Sequence, residues 1–275
     1  MSNHLGESNR FRPRAPLISF QDRLHTSRLM YSHTLPSIGG INRRHYNDEA
    51  AAGYNYLCSK GFVVQASLDP NDPLLADAFR VIDRIGWTYT VLHVQPFNPR
   101  VVREFISNKN FDAEGSLIRG HVYHFEPSVI NRLMMTPSVE DSFQWEVVVL
   151  NQAIVHLTRG QCFCWTGFSL AALVRPYQTL YRVCELNWLP GPATDSMIQD
   201  RLRLLYAVAT RKRIDFGRLV YDQVIEMARR SDWCTDLIFP NLIYQLLMLQ
   251  KEVPLLPGDE GLIGGGVRIY GTGGD

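Results

Sequence analysis

The feature that most constrains this chain is a series of helix-length apolar patterns between Asp72 and Lys251, each with its own start and stop signals. Leu74, Leu75, Ala78, Phe79, Ile82 and Ile85 recur at helical spacing, with Pro73 suited to a first turn and Gly86 to a stop. Asn98-Pro99 opens a second helix that turns Val101, Val102, Phe105 and Ile106 inward. Glu126-Pro127-Ser128 opens a third, carrying Val129, Ile130, Leu133 and Met134 and ended by Pro137. A long amphipathic helix is expected from Val139 to Leu157, broken by Arg159-Gly160. Phe168 to Val174 and Tyr177 to Leu186 read as a helix pair divided at Pro176. Asp195 and Asp215 stand where caps are needed, for one helix reaching Ala209 and for another burying Leu219, Val220, Val224, Ile225 and Met227. Phe239-Pro240 starts a last helix that fades near Lys251.

Little of the chain reads as β-structure. Thr88 to Gln95 alternates and is rich in β-branched and aromatic residues, so a strand is expected there. Leu117-Ile118 and His121 to Phe125, joined at Gly120, read as a small hairpin. The fold class is therefore α+β, predominantly α-helical: a multi-helix domain over residues 62–255 with a small β element. Residues 1–60 hold seven arginines against four acids and little apolar periodicity, which predicts a mostly disordered basic arm with one short helix over Ala50 to Ser59. Residues 256–275 are glycine-rich and expected to form a flexible tail.

Composition narrows the function. With 45% hydrophobic and 20% charged residues, a chain of 275 residues buries a sizeable core. The formal charge of +1, from 28 basic and 27 acidic side chains, argues against wholesale phosphate neutralisation but leaves room for a local patch. The five cysteines are odd in number and irregular in spacing, which fits a reducing intracellular compartment, nuclear or cytoplasmic. The longest apolar runs are interrupted well short of a membrane span, so no membrane partner is expected.

His121, His124, Cys162 and Cys164 are zinc-ligand types, but the two histidines lie three apart in a strand and point to opposite faces. No metal or cofactor is expected. Two-metal phosphoryl transfer needs gathered carboxylates. Asp195 and Asp215 sit at helix starts, and Asp200, Asp222 and Glu226 on polar helix faces, where capping and solvation account for them. Candidate nucleic-acid contacts are Arg211, Lys212 and Arg213 between two helices, and Arg43 and Arg44 in the arm, which also carries Arg10, Arg12 and Arg14.

Short signatures recur in fixed order: Val102-Arg103-Glu104-Phe105, Ile118-Arg119-Gly120, Phe125 to Asn131, Leu204 to Ala207, Ile214-Asp215-Phe216-Gly217 and Phe239-Pro240-Asn241. In that order they resemble the putative plant transposon protein domain of plant retrotransposon-derived reading frames. Ile106 replaces the tyrosine usual in that family. The resemblance implies a transposable-element origin and supplies no catalytic residues. The shared motifs read as architectural: Asp215 a cap, Gly120 a turn, Pro240 a helix start, Trp188 a core anchor. Arg103 and Asn131 either cap a neighbouring backbone end or touch a partner. The expected function is a non-enzymatic structural or interaction module, binding nucleic acid or self-associating. The alternative is a degenerate Mg²⁺-dependent transposase or integrase using Asp195, Asp200 and Asp215.

Overall fold

The computed structural model describes residues 10–31, 35–37, 39–40, 42–109, 115–229 and 235–271. Among them are ten α-helices: α1 Phe20–Tyr31, α2 Asp48–Leu57, α3 Ala76–Arg84, α4 Pro99–Ser107, α5 Pro127–Met134, α6 Leu150–Leu157, α7 Arg175–Val183, α8 Asp195–Ala209, α9 Phe216–Arg229 and α10 Pro240–Gln250. Strands β1 Gly115–Ile118 and β2 His121–His124 form one antiparallel hairpin, with Ile118 opposite His121. The fold is predominantly helical α+β, as the periodicity predicts.

The centre is α10. Every residue from Pro240 to Gln250 is buried except Met248, which is partly so; most are apolar, and the amides of Asn241 and Gln250 are hydrogen-bonded inside. Helices α1, α4 and α5 pack around it. A second focus is aromatic: Trp87 meets Trp188 and Phe216 edge-on, with centroids 5.1 Å apart in each pair. The Trp188 indole N–H donates to Thr90 Oγ1 at 2.9 Å, so its polar edge is also satisfied inside.

Long stretches of the interior are irregular, and buried amides satisfy their backbone. Asn187 accepts from Ala66 N and donates to Ala66 O and Thr90 O. Asn241 accepts from Gln65 N and donates to Gln95 O and Gly264 O. Gln250 closes a reciprocal pair with the backbone of His124. Each bond removes an otherwise unpaired buried group.

This explains the main departure from expectation. Thr88 to Gln95 is not a strand. Thr88–Thr90 is a 3-10 turn, Val91 to His93 turn and bend with His93 at positive φ, and the carbonyls of Thr90, Val91 and Gln95 are taken by Asn187, the N–H of Leu68 and Asn241. The β-branched and aromatic composition belongs to an irregular segment that is buried from Thr88 to Leu92.

The helix expected from Val139 to Leu157 is present only over its last two turns. Val147-Val148-Val149 is a β-branched run that disfavours helix, and Val148 and Val149 are extended, with Arg203 Nε donating to the Val148 carbonyl. Phe168 to Val174 contains only the 3-10 turn Leu170–Ala172. The next helix begins at Arg175 and ends in a π-turn over Cys184–Trp188. The cap of α8 is Thr194, whose hydroxyl accepts from Met197 N, while Asp195 occupies the first turn.

Residues 10–31 carry α1, which lies on α10 and buries Arg23 and Tyr31. The short helix in the arm runs Asp48–Leu57 and packs on α4. Residues 256–271 return across the domain, with Phe97 and Ile263 exchanging backbone hydrogen bonds and Ile269 N donating to Ser67 O. The contacts that dock these described segments come from residues far away in sequence. The expectations for residues 1–9 and 272–275 lie outside the described residues.

Candidate nucleic-acid interface

The signature residues meet one another in space. Glu104 on α4 and Arg119 at the hairpin turn are both completely buried, and Arg119 Nε lies 3.0 Å from Glu104 Oε2. Arg119 also binds both oxygens of Asp259 and the Pro254 carbonyl, and Arg44 joins at 2.7 Å from Glu104. Burial by itself would raise the Asp259 pKa. Hydrogen bonds from Arg119 and the Leu256 amide, together with the Arg119 charge, outweigh it and hold the carboxyl below the usual range. Arg119 and Gly120 both have positive φ, as a two-residue hairpin turn requires. The turn thus aims the guanidinium inward.

A second pair of signatures joins α5 to α9. Asn131 Nδ2 donates to Asp215 Oδ1 at 2.7 Å, and its Oδ1 accepts from Gly217 N at 2.7 Å. Asp215 Oδ1 also accepts from Arg218 N, so it caps α9. Only glycine fits at 217, where a Cβ would stand 2.1 Å from the Pro127 carbonyl oxygen. Arg103 lies over the Phe62 ring and donates to Glu260 and to the Lys60 carbonyl. Asn131 and Arg103 thus serve intramolecular contacts.

The three acids of the alternative reading are spread out. Asp195 is exposed at one end of α8, Asp200 pairs with Arg203 at 2.7 Å, and Asp215 lies beyond the other end. At 1.5 Å per residue the helix separates its ends by about 20 Å. Among the described residues no group of three or more His, Cys, Asp or Glu is gathered for a metal ion. His121 contacts Lys251, His124 packs beside Tyr31, and Cys162 and Cys164 lie in the loop after α6.

The expected basic contacts divide. Arg211, Lys212 and Arg213 are exposed. They form the C-terminal stop of α8: Arg211 N donates to Val208 O, Lys212 N to Ala207 O, and Arg211 takes the left-handed conformation this stop requires. Lys212 lies 5.2 Å over the Phe143 ring. Arg43 is exposed and donates to the Tyr46 carbonyl. Arg44 faces inward to Glu104 and Asp259.

A stronger concentration lies elsewhere. Arg10, Arg12, Arg14, Arg80 and Arg84 line one cavity of about 460 Å³, with Asp83 the lone carboxylate in its wall. In the stretch Arg10-Phe11-Arg12-Pro13-Arg14 the phenylalanine is buried and the three arginines are exposed. Phe11 stacks on Phe79 in the core at 4.9 Å, leaving the arginines outward. Arg80 and Arg84 are one turn apart on α3 and share a face. Asp83 holds the arm through Arg14 N at 3.1 Å, and Arg14 Nη1 donates to the Arg84 carbonyl at 3.0 Å. The signal was present as arginines at every second position around a phenylalanine. Its other wall, about 70 residues away, was not visible.

Comparison with known families places these observations. The model of the family described as "Putative plant retrotransposon-related domain" matches residues 83–252. The chain belongs to that family. It is a plant retrotransposon-related protein, and the buried polar pairs are formed by signatures that lie inside the matched segment. Neither the curated proteins nor the solved structures contain a match. No helix among the described residues is long and apolar enough to cross a membrane.

Proposed function

We propose that this chain is a non-enzymatic interaction module of a retrotransposon-derived protein that engages nucleic-acid phosphates through the arginines of the arm and α3. The observation that carries the reading is the convergence of five guanidinium groups on one cavity with a single carboxylate in its wall. Guanidinium groups present planar donor forks to phosphate oxygens, and such contacts position a backbone without reading its sequence. The near-neutral whole-chain charge is compatible with this, because the basic groups are concentrated locally. The polar residues of the family signatures support a non-catalytic role, since Glu104, Arg119, Asn131 and Asp215 bind one another or close neighbours inside the fold.

The test is binding of the purified chain to a fluorescent DNA duplex and an RNA strand across a salt series. The expected result is affinity that falls as salt rises and weakens in Arg12→Ala and Arg84→Ala. A second variant, Arg211→Gly with Lys212→Ala and Arg213→Ala, keeps the left-handed stop of α8 while removing its cations. Equal loss in that variant would move the interface to the α8–α9 turn. No binding at low salt would overturn the reading.

A further inference from the structure

The shape of the arginine cavity says more than its charge. Its walls are two short rows: Arg10, Arg12 and Arg14 at every second position of the arm, and Arg80 and Arg84 one turn apart on α3. A spacing of about 6 Å between Arg80 and Arg84 follows from helix rise. The rows are too short to track several phosphodiesters. They line an open cavity of about 460 Å³ instead.

The counter-charges inside are few and already engaged. Asp83 accepts from Arg14 N and from Thr88 Oγ1, which turns its lone pairs toward the fold. Asp77, on the exposed face of α3, pairs with Arg80. Among the described residues, Arg10, Arg12, Arg14 and Arg84 form no ion pair with a carboxylate. Arg14 is pre-positioned by its bond to the Arg84 carbonyl, and the arm by the Phe11–Phe79 stack.

We propose that this cavity is a receptor for a compact oligophosphate, such as the triphosphate of a nucleotide or of a 5′-triphosphorylated RNA end. The inference rests on reading the cavity as a phosphate site and specifies which phosphate group enters it. A duplex spaces its charges at about 3.4 Å of axis per strand on a broad convex surface. An oligophosphate concentrates three or four charges in one slender group that enters a cavity and meets guanidinium forks from both walls. Four of the five arginines precede the matched family segment, so the receptor belongs to this chain's own N-terminal region.

The experiment uses the full chain in EDTA at near-physiological ionic strength. Inorganic tripolyphosphate, orthophosphate, a nucleoside triphosphate, and one RNA strand bearing either a 5′-triphosphate or a 5′-hydroxyl are titrated in turn. The expected result is tripolyphosphate at least about tenfold tighter than orthophosphate, and the triphosphorylated RNA at least about tenfold tighter than its hydroxyl form. Arg12→Gln and Arg84→Gln should erase the preference, whereas Lys212→Ala should leave it. A nucleoside triphosphate as tight as the RNA end assigns the free nucleotide as sufficient; a tighter RNA end assigns the strand terminus. Equal, salt-sensitive binding of both RNA forms would overturn the oligophosphate receptor and leave the backbone-binding reading standing. No binding of any probe at low salt would remove both.

Discussion

Arg119 and Glu104 face each other at 3.0 Å with neither side chain exposed to solvent. They come from two separate family signatures, and their meeting shows what those signatures do: a helix and a hairpin are held in register by a charge pair that neither element supplies alone. Asp259 closes the network from a segment that composition assigns to a flexible tail.

Removing one member should therefore be costly. Glu104→Ala leaves the Arg119 guanidinium with reduced compensation, and breaking a buried pair typically costs about 3–5 kcal/mol. Urea unfolding checks this. The double replacement Glu104→Leu with Arg119→Met should recover much of the loss, and if it is as unstable as the sum of its parts, the two residues are not coupled.

Gly217→Ala forces a methyl carbon to 2.1 Å from the Pro127 carbonyl oxygen, so α5 and α9 must move apart. Overpacking of this kind costs about 1–3 kcal/mol, and here the Asn131 bonds are disturbed as well. A melting temperature unchanged from the parent would show that the two helices do not approach so closely.

Stability should also respond to acid through Asp259. Its carboxyl is held below the usual carboxylate range, so it contributes stability that is fully present above about pH 4 and is lost as pH falls through the folded-state value. Asp259→Asn should lower stability at neutral pH and flatten the decline in acid. The urea midpoint measured from pH 6 downward decides it. Parallel curves for the two proteins would dissociate Asp259 from the effect.

Thiol reactivity should sort by burial. Cys58 and Cys164 are exposed, whereas Cys184 is fully enclosed and burial pushes its thiol pKa up. Alkylation followed by peptide mass analysis should modify Cys58 and Cys164 in the native protein and reach Cys184 only on unfolding. Early labelling of Cys184 would mean that the π-turn at the end of α7 opens readily.

What the sequence determined by itself is local. Asn98 capping α4, Asp215 capping α9, the prolines that start α4, α5 and α10, and the Gly120 turn were all legible, because each acts through bonds within about four residues. Tertiary structure decided the rest. Thr88 to Gln95 has strand composition but no strand neighbour, since amides about 100 and 150 residues away take its carbonyls. The Glu104–Arg119 pair, the arm docked on α10, and the arginine cavity joining residues 10–14 to α3 likewise join distant segments. Local propensity reports which residues favour a helix or a turn. Which charges and backbone groups lose their water, and which partners must then replace it, is decided only when distant segments close upon one another.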